Sequence, residues 1–280
     1  MSLSQSSKPQ WGDTCRLIAS ERWKTKSAAM GRHVTQALVD YAHPRPGMNI
    51  LDLASGTGEP AITLASLVGS DGHVTALDIS PELLEIADQR ARERGLQNFS
   101  TRQSDAHDLP FPDHGFDLVT SRFGVMFFAD IDRALRQVHR VLKPGARACF
   151  LVWGPFEQPY FLSTFGVVAR HVGGAEISPG GPNPFRFAEP GSLSAALKKV
   201  QFQEVSEQTK TVAWTWPGSI EEVWEYARSV SLPFRGLLDR VPKEKWPEIN
   251  REIYESVGPY ARADRIEFGA LVVLASGIKP

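Results

Sequence analysis

This sequence of 280 residues contains few cysteines and has almost no net charge. It has two cysteines, Cys15 and Cys149, and no cluster of Cys and His at metal-ligand spacing, which argues against a disulfide scaffold and against a structural zinc site. The formal net charge is −1, so the strongly basic surface typical of proteins that bind phosphate backbones is not expected. We therefore expect no metal site and no nucleic-acid partner.

Export and membrane signals are also missing. The first residues, MSLSQSSKPQWGD, have no basic region followed by an apolar run. No apolar stretch approaches the roughly 20 residues that a membrane-spanning helix requires. These absences predict a cytoplasmic protein without a membrane span.

Strand and helix patterns alternate through the middle of the chain. Five short apolar runs, typical of buried strands, are separated by segments with helical spacing. The runs cover residues 49–55, 73–79, 99–103, 116–121 and 146–153. Two further strands are expected at residues 202–214 and 266–276. The alternation predicts an α/β fold with a doubly wound, mostly parallel, seven-stranded sheet.

The chain divides into three predicted segments that fold as a single globular unit. Residues 1–47 carry apolar positions at helical spacing and are expected to form a helical cover. Residues 48–153 hold the Rossmann-like core. Residues 154–280 combine the last strands with helical insertions, mainly at residues 220–260, that are expected to cap a substrate site.

A glycine-rich turn, DLASGTGE, follows the first strand at residues 52–59. Glycines allow the backbone to turn sharply and to approach a ligand closely. Gly56, Gly58 and Ala61 also satisfy the G-x-G-x-x-A dinucleotide fingerprint, and Asp78 ends the second strand where a ribose-binding acid is expected. An NAD(P)-dependent oxidoreductase is therefore one interpretation.

Three carboxylates favour a different cofactor. Asp52 lies four residues before Gly56, where it would repel a pyrophosphate but attract the amino group of a methionine moiety. Asp78 suits two ribose hydroxyls, because a carboxylate accepts both hydrogen bonds. Asp105 follows the third strand and is placed to receive an adenine amino group. A Tyr-x-x-x-Lys pair, which would support the oxidoreductase, does not occur.

Five motifs occur in order between residues 49 and 153: LDLASGTG, ALDIS, SDAHDLPFPDHGFDLV, SRFG and RVLKPGA. Together they resemble class I S-adenosylmethionine-dependent methyltransferases, particularly the ubiquinone/menaquinone-biosynthesis (type 11) branch. The resemblance implies a Rossmann-like fold, S-adenosyl-L-methionine as cofactor and methyl transfer as the activity. The cofactor-binding residues that it implies are Asp52, Ala54, Ser55, Gly56, Thr57 and Gly58 for the methionine part, Asp78 and Ile79 for the ribose, Ser104, Asp105 and Ala106 for the adenine, and Ser121 beside the sulfonium. Ala54 and Ala146 replace glycines that are usual in this branch.

Catalysis by such an enzyme depends mainly on aligning the acceptor with an activated methyl donor. If the acceptor needs a general base, His107 is a candidate because it adjoins the adenine segment. Arg122 is a candidate for contacting a carboxylate of substrate or cofactor. Both residues also have an ordinary structural interpretation, as a surface histidine and a buried ion pair.

The acceptor is expected to be a small molecule of apolar or aromatic character. This expectation rests on the aromatic content of the predicted cap and on the absence of basic patches. Besides the oxidoreductase, a non-catalytic protein of the same fold that binds S-adenosyl-L-methionine stays open as an interpretation.

Overall fold

The computed structural model describes residues 18, 22–174, 176–177 and 180–280. Its centre is a seven-stranded sheet in the order β3-β2-β1-β4-β5-β7-β6. Strands β1 to β5 pair in parallel, and β7 runs antiparallel to both β5 and β6. The strands are β1 Asn49–Leu53, β2 His73–Asp78, β3 Phe99–Gln103, β4 Phe116–Arg122, β5 Leu142–Trp153, β6 Gln203–Trp216 and β7 Ile266–Ile278. The predicted fold class is confirmed.

Helices pack against this sheet along its whole width. The N-terminal helix, Lys24–Ala42, contacts β4, β5 and β6. The two helices that follow β1 and β2 contact the part of the sheet formed by β1, β2 and β3. The helices are α1 Lys24–Ala42, α2 Ala61–Val68, α3 Pro81–Glu93, α4 Ile131–Val141, α5 Pro159–Ser163, α6 Phe165–Val172, α7 Ser192–Lys199, α8 Ile220–Val230, α9 Arg235–Leu238 and α10 Trp246–Val257. Short 3₁₀ turns cover Val125–Phe127, Leu232–Phe234, Lys243–Lys245 and Gly258–Tyr260.

Capping residues fix where two of these helices begin. The Ser80 hydroxyl accepts a hydrogen bond from the Leu83 amide at 3.3 Å, and Pro81 occupies the first position of α3. The Asp130 carboxylate accepts from the Arg133 amide at 2.9 Å and starts α4. Because α3 follows β2 and α4 follows β4, both N-termini lie at the carboxyl edge of the sheet, where ligands of such sheets bind.

Some element boundaries differ from those expected. β5 begins at Leu142 rather than at residue 146, because Leu142 already pairs with Phe116 across a register shift. The segment after Trp153, for which no regular element was predicted, forms α5 and α6. Part of the predicted N-terminal cover, residues 1–17 and 19–21, lies outside the described residues.

The described ranges hold neither a helix suited to span a membrane nor a cluster of metal-binding side chains. None of the helices there combines the length and apolar character needed to cross a membrane. The same ranges contain no group of three or more His, Cys, Asp or Glu side chains placed to bind a metal ion. Cys149 is buried on β5, and burial raises the pKa of its thiol to about 12, so it is not an activated nucleophile.

Candidate functional site

A cavity of about 440 Å³ opens at the carboxyl ends of β1, β2, β3 and β4. Its size lies in the range of sites for small molecules and cofactors, roughly 300 to 1,000 Å³. The lining comprises Ala54, Gly56, residues 77–79, Leu83, residues 104–107, Phe123, Gly124, residues 127–130 and Arg133. Most of these residues directly follow a strand, as the doubly wound topology requires.

The glycine-rich loop after β1 is fixed by hydrogen bonds to its neighbours. The Ser55 amide donates to the Leu77 carbonyl at 3.0 Å, and the Gly56 amide donates to Asp78 Oδ2 at 2.8 Å. Arg90 on α3 donates from Nη1 to the Thr57 carbonyl at 2.7 Å. These bonds hold the loop against the end of β2 and the side of α3.

Two glycines determine how closely backbone lines the cavity. Gly56 has φ +53°, and a Cβ at this position would meet nothing within 4 Å, so the loop presents bare backbone to the cavity. At Gly124, a Cβ would lie 2.4 Å from Ser121 Oγ and 2.6 Å from Ala54 Cβ. A side chain at residue 124 would therefore push the β4 turn away from the loop.

Asp78 is buried at the end of β2, with 6 % of its surface exposed. Oδ2 accepts from the Gly56 amide, and Oδ1 accepts from the Ser80 amide at 3.0 Å. A carboxylate has about four acceptor sites, so two hydroxyl donors can still be accommodated. The geometry is compatible with the ribose role predicted for this residue.

Asp52 lies beneath the loop and outside the cavity lining. It is fully buried; Oδ1 accepts from Thr120 Oγ1 at 2.7 Å, while Oδ2 has no hydrogen-bond partner among the described residues. Burial raises the pKa of the Asp52 carboxyl to about 7, against the opposing hydrogen bond from Thr120 and the charge of Arg122. Within the described part of the chain, no donor reaches this second carboxyl oxygen.

Arg122 points from the end of β4 toward α1. Its Nη1 donates to Thr35 Oγ1 at 2.7 Å and to the Gly31 carbonyl at 3.4 Å. Its Nε is buried and has no partner among the described residues. Burial lowers the pKa of the guanidinium, against the opposing charges of Glu59 and Asp52. Arg122 therefore anchors α1 and does not line the cavity.

His107 connects two parts of the cavity wall. Its Nδ1 contacts Asp105 Oδ1, and its Nε2 accepts from the Asp130 amide at 3.1 Å. Because Nε2 accepts, the hydrogen bonds assign the ring proton to Nδ1 and leave the imidazole neutral. The lone pair that a general base would use is already engaged.

An aromatic wall, formed by Phe123, Trp153, Phe161 and Trp214, adjoins the cavity. Phe123 and Trp153 stack with ring centroids 4.2 Å apart at 12°. Trp214 meets Trp153 edge-on at 5.2 Å, and Phe161 does so at 5.1 Å. Phe123 also lines the cavity, so one side chain belongs to both surfaces.

The structure brings many of the predicted residues together. Those that line the cavity are Ala54, Gly56, Asp78, Ile79, Ser104, Asp105, Ala106 and His107. Those outside the lining are Asp52, Ser55, Thr57, Gly58, Ser121 and Arg122. Of the latter group, Ser121 donates from its hydroxyl to the Leu53 carbonyl at 2.9 Å and supports the loop from below.

Residues 128–130, Arg133 and Leu83 on α3 also line the cavity but were not predicted from the sequence. A signal for residues 128–130 and Arg133 was present, because Asp130 is a typical N-cap directly before a helical pattern. Helix N-termini of a doubly wound sheet lie at the edge where ligands bind. Applying that rule to α4 would have placed residues 128–133 in the site.

Comparison with known proteins decides the family. The model of the ubiE/COQ5 methyltransferase family matches residues 27–174, more than half of the chain. The chain belongs to the ubiE/COQ5 methyltransferase family. S-adenosyl-L-methionine is its cofactor. The open backbone at Gly56, and an Asp52 Oδ2 that has no hydrogen-bond partner in the part of the chain that the structure describes, are compatible with a ligand that has an adenosyl group and an ammonium group.

Similarity to an individual relative covers part of the chain. The ubiquinone/menaquinone biosynthesis C-methyltransferase UbiE of Shewanella oneidensis is 42 % identical over 114 residues, which are 40 % of this chain and 45 % of that protein. The chain thus matches about half the length of such relatives.

Two solved structures share the fold. YcgJ of Bacillus subtilis is 22 % identical with a TM-score of 0.56, over 88 % of this chain and 97 % of that chain. Phosphoethanolamine N-methyltransferase 2 of Haemonchus contortus, in complex with S-adenosyl-L-methionine, is 17 % identical with a TM-score of 0.56, over 96 % and 60 % of the two chains.

Proposed function

We propose that this protein transfers a methyl group from S-adenosyl-L-methionine to a small acceptor of apolar or aromatic character. The observation that carries the proposal is the shared position of Phe123, which lines the cavity and stacks on Trp153 of the aromatic wall. A cofactor in the cavity and an acceptor on the wall would therefore be neighbours. Family membership favours this activity over an NAD(P)-dependent reaction.

The adenosine part of the cofactor is assigned to the polar end of the cavity. Asp78 would accept from the ribose hydroxyls, with Ile79 beside it, and the segment 104–106 would bind the adenine, with Asp105 facing the amino group. The loop at residues 54–58 would support the methionine part, with Gly56 providing bare backbone. Support for these assignments comes from the hydrogen bonds that already fix Asp78 and the loop.

The methionine part carries an ammonium and a carboxylate, and two atoms that have no hydrogen-bond partner within the described ranges match them. Asp52 Oδ2 is an acceptor and Arg122 Nε is a donor, and both are buried. Each residue lies in the electrostatic field of the other. We assign the ammonium to Asp52 and the carboxylate to Arg122, with Ser121 between the loop and the β4 turn. Because Asp52 and Arg122 lie outside the cavity lining, this assignment requires the methionine part to extend beyond the lining.

Bound S-adenosyl-L-methionine supplies an electrophilic methyl group on a sulfonium. The protein's part is to orient the acceptor and to exclude water, and orientation alone contributes on the order of 7 to 11 kcal/mol to such reactions. The rings of Phe123 and Trp153 offer a cation–π surface of about 0.5 to 2 kcal/mol. His107 is not assigned as a base, because its Nε2 accepts from Asp130.

Calorimetric titration with S-adenosyl-L-methionine, S-adenosylhomocysteine and NAD tests the cofactor assignment. Binding of the first two without the third is the expected result. Binding of NAD alone would contradict the proposal, because the loop at Gly56 would then be a dinucleotide site.

Methyl transfer is tested with tritium-labelled S-adenosyl-L-methionine and a panel of small phenols and quinols, each paired with its saturated alcohol. Transfer to the aromatic members and not to their saturated partners is expected, because flat rings pack on the aromatic wall. Tight cofactor binding with no transfer to any member, or transfer to the saturated members alone, would contradict the proposed acceptor class.

A further inference from the structure

His107 forms a bridge across one end of the cavity. The segment 104–107 after β3 and the segment 127–133 at the start of α4 both contribute to the cavity lining, although strand β4 lies between them in the chain. His107 bonds to both, through Nδ1 to Asp105 and through Nε2 to the amide of Asp130. The bridge ties the adenine segment to the N-terminus of α4.

Packing holds the imidazole ring in this orientation. Phe128 meets the ring edge-on with centroids 5.9 Å apart, and the His107 side chain is 16 % exposed. The Asp105 carboxylate also accepts from the His107 backbone amide at 3.0 Å. Two donors of the same residue therefore converge on Asp105 Oδ1 and fix the rotation of this carboxylate.

We propose that His107 is a positioning residue that orients Asp105 to recognise the amino group of adenine, and so sets the specificity of the cofactor site for adenine over deaminated bases. The proposal rests on the proposed function, because it requires the adenosyl group in this cavity. His107 itself need not touch the cofactor. Its contribution to specificity is the donation from Nδ1 to Asp105, whereas the bond from the Asp130 amide to Nε2 holds the ring in place.

The two halves of the bridge can be separated by substitution. In His107→Asn the amide nitrogen occupies nearly the position of Nδ1, so donation to Asp105 is kept while the bond from Asp130 is lost. In His107→Gln the amide oxygen reaches the position of Nε2, so the bond from Asp130 is kept while donation to Asp105 is lost. His107→Phe removes both bonds but preserves the ring contact with Phe128.

The measurement compares dissociation constants for S-adenosylhomocysteine and S-inosylhomocysteine, in which a carbonyl oxygen replaces the adenine amino group. The intact protein should prefer the adenine compound by roughly 10- to 100-fold, because the carbonyl would face a carboxylate. His107→Asn should retain most of this preference. His107→Gln and His107→Phe should reduce it by about fivefold or more.

A purely structural role gives a different result. If all three variants lose affinity for both compounds by the same factor, so that the ratio does not change, the proposal is wrong. It is also wrong if the intact protein binds both compounds equally well. Loss of thermal stability without a change in the ratio counts against it as well. If the intact protein binds neither compound, the proposed cofactor function itself fails, which is a distinct outcome.

Discussion

The polar end of the cavity, to which we assign the adenosine part of the cofactor, and the aromatic wall lie at the same edge of the sheet but are built from opposite kinds of side chain. At the polar end, Asp78 and Asp105 accept hydrogen bonds from backbone amides, and Asp105 also contacts the imidazole of His107. At the wall, Phe123, Trp153 and Trp214 contact one another through ring faces and edges. The polar end offers a ligand directional hydrogen bonds, whereas the wall offers it apolar ring surface.

This difference separates two properties of one site. Directional hydrogen bonds to carboxylates discriminate strongly between ligands, because an unmatched polar group is costly when buried. Stacked rings discriminate weakly and accept related flat molecules. If the acceptor packs on the wall as proposed, substitution of a few aromatic residues should change the acceptor while the cofactor stays the same.

Asp78→Asn is expected to have the largest effect. The substitution would remove the two charge-assisted hydrogen bonds that we assign to the ribose. Such a bond contributes about 1.5 to 3 kcal/mol, so the affinity for S-adenosylhomocysteine should fall by roughly 100-fold or more. Calorimetry measures the change, and thermal unfolding checks that the fold persists. Asp71→Asn, at an exposed loop position, is the matched control and should bind normally. Unchanged affinity in Asp78→Asn would show that the Asp78 carboxylate does not bind the cofactor, and the contrast between the polar end and the wall would no longer hold.

Arg122→Met tests whether the polar region extends under the loop. The intact protein should prefer S-adenosyl-L-methionine over its decarboxylated form by about 10- to 100-fold, because the guanidinium would bond to the carboxylate. The variant should lose this preference, and Arg122→Lys should keep part of it. Thr35→Val, which removes the α1 partner but leaves the guanidinium, is the control. An unchanged preference in Arg122→Met would confine Arg122 to anchoring α1.

Burial of Asp52 makes the stability of the folded protein depend on pH. Between the ordinary Asp pKa of 3.8 and about 7, the unfolded chain loses the Asp52 proton while the folded chain retains it, so rising pH destabilises the folded state across this interval. Below 3.8 both states are protonated and the effect vanishes. Asp52→Asn should therefore unfold at a relatively higher temperature than the parent at pH 8 but not at pH 4, as calorimetric scans at both pH values would show.

Cofactor binding should shift the same group in the opposite direction. An ammonium next to Asp52 favours the carboxylate, so binding near pH 6 should release a proton, which titrations in buffers of different ionisation enthalpy detect. In Asp52→Asn the release should disappear. Proton release that persists in the variant would show that another group titrates and that the ammonium lies elsewhere.

Trp214→Phe addresses the wall alone. The variant keeps an aromatic ring but removes the indole nitrogen, which is buried and has no partner among the described residues. Affinity for S-adenosylhomocysteine should change by less than about threefold, whereas the pattern of accepted phenols and quinols should change. A tenfold loss of cofactor affinity would show that the wall belongs to the cofactor site and would abolish the distinction between the regions.

The sequence permitted prediction of the polar region because its signals are local. Asp52, Asp78 and Asp105 each lie at or just after a strand end, and a parallel sheet places such positions side by side. The aromatic wall was not predicted as a unit. Phe123, Trp153 and Trp214 become neighbours only through the strand order β4-β5-β7-β6, which brings distant segments together. The direction of side chains could not be predicted from the sequence either. The Arg122 side chain points toward α1 because Gly31, which has no Cβ, leaves space for the guanidinium.

The smallest effect is expected at Ala54, which replaces a glycine usual in this branch. Ala54 has φ +52°, a left-handed backbone that costs a non-glycine residue about 1 to 2 kcal/mol. Ala54→Gly relieves this cost but adds about 0.5 to 1 kcal/mol of conformational entropy to the unfolded chain, so the free energy of unfolding in urea should rise by about 0 to 1.5 kcal/mol. Ala146→Gly is the control, because Ala146 has no positive φ and glycine there should only destabilise. If both variants lose stability equally, Ala54 is not strained and its methyl contact near Gly124 dominates, which would make the loop at this position a packing element rather than a ligand-facing turn.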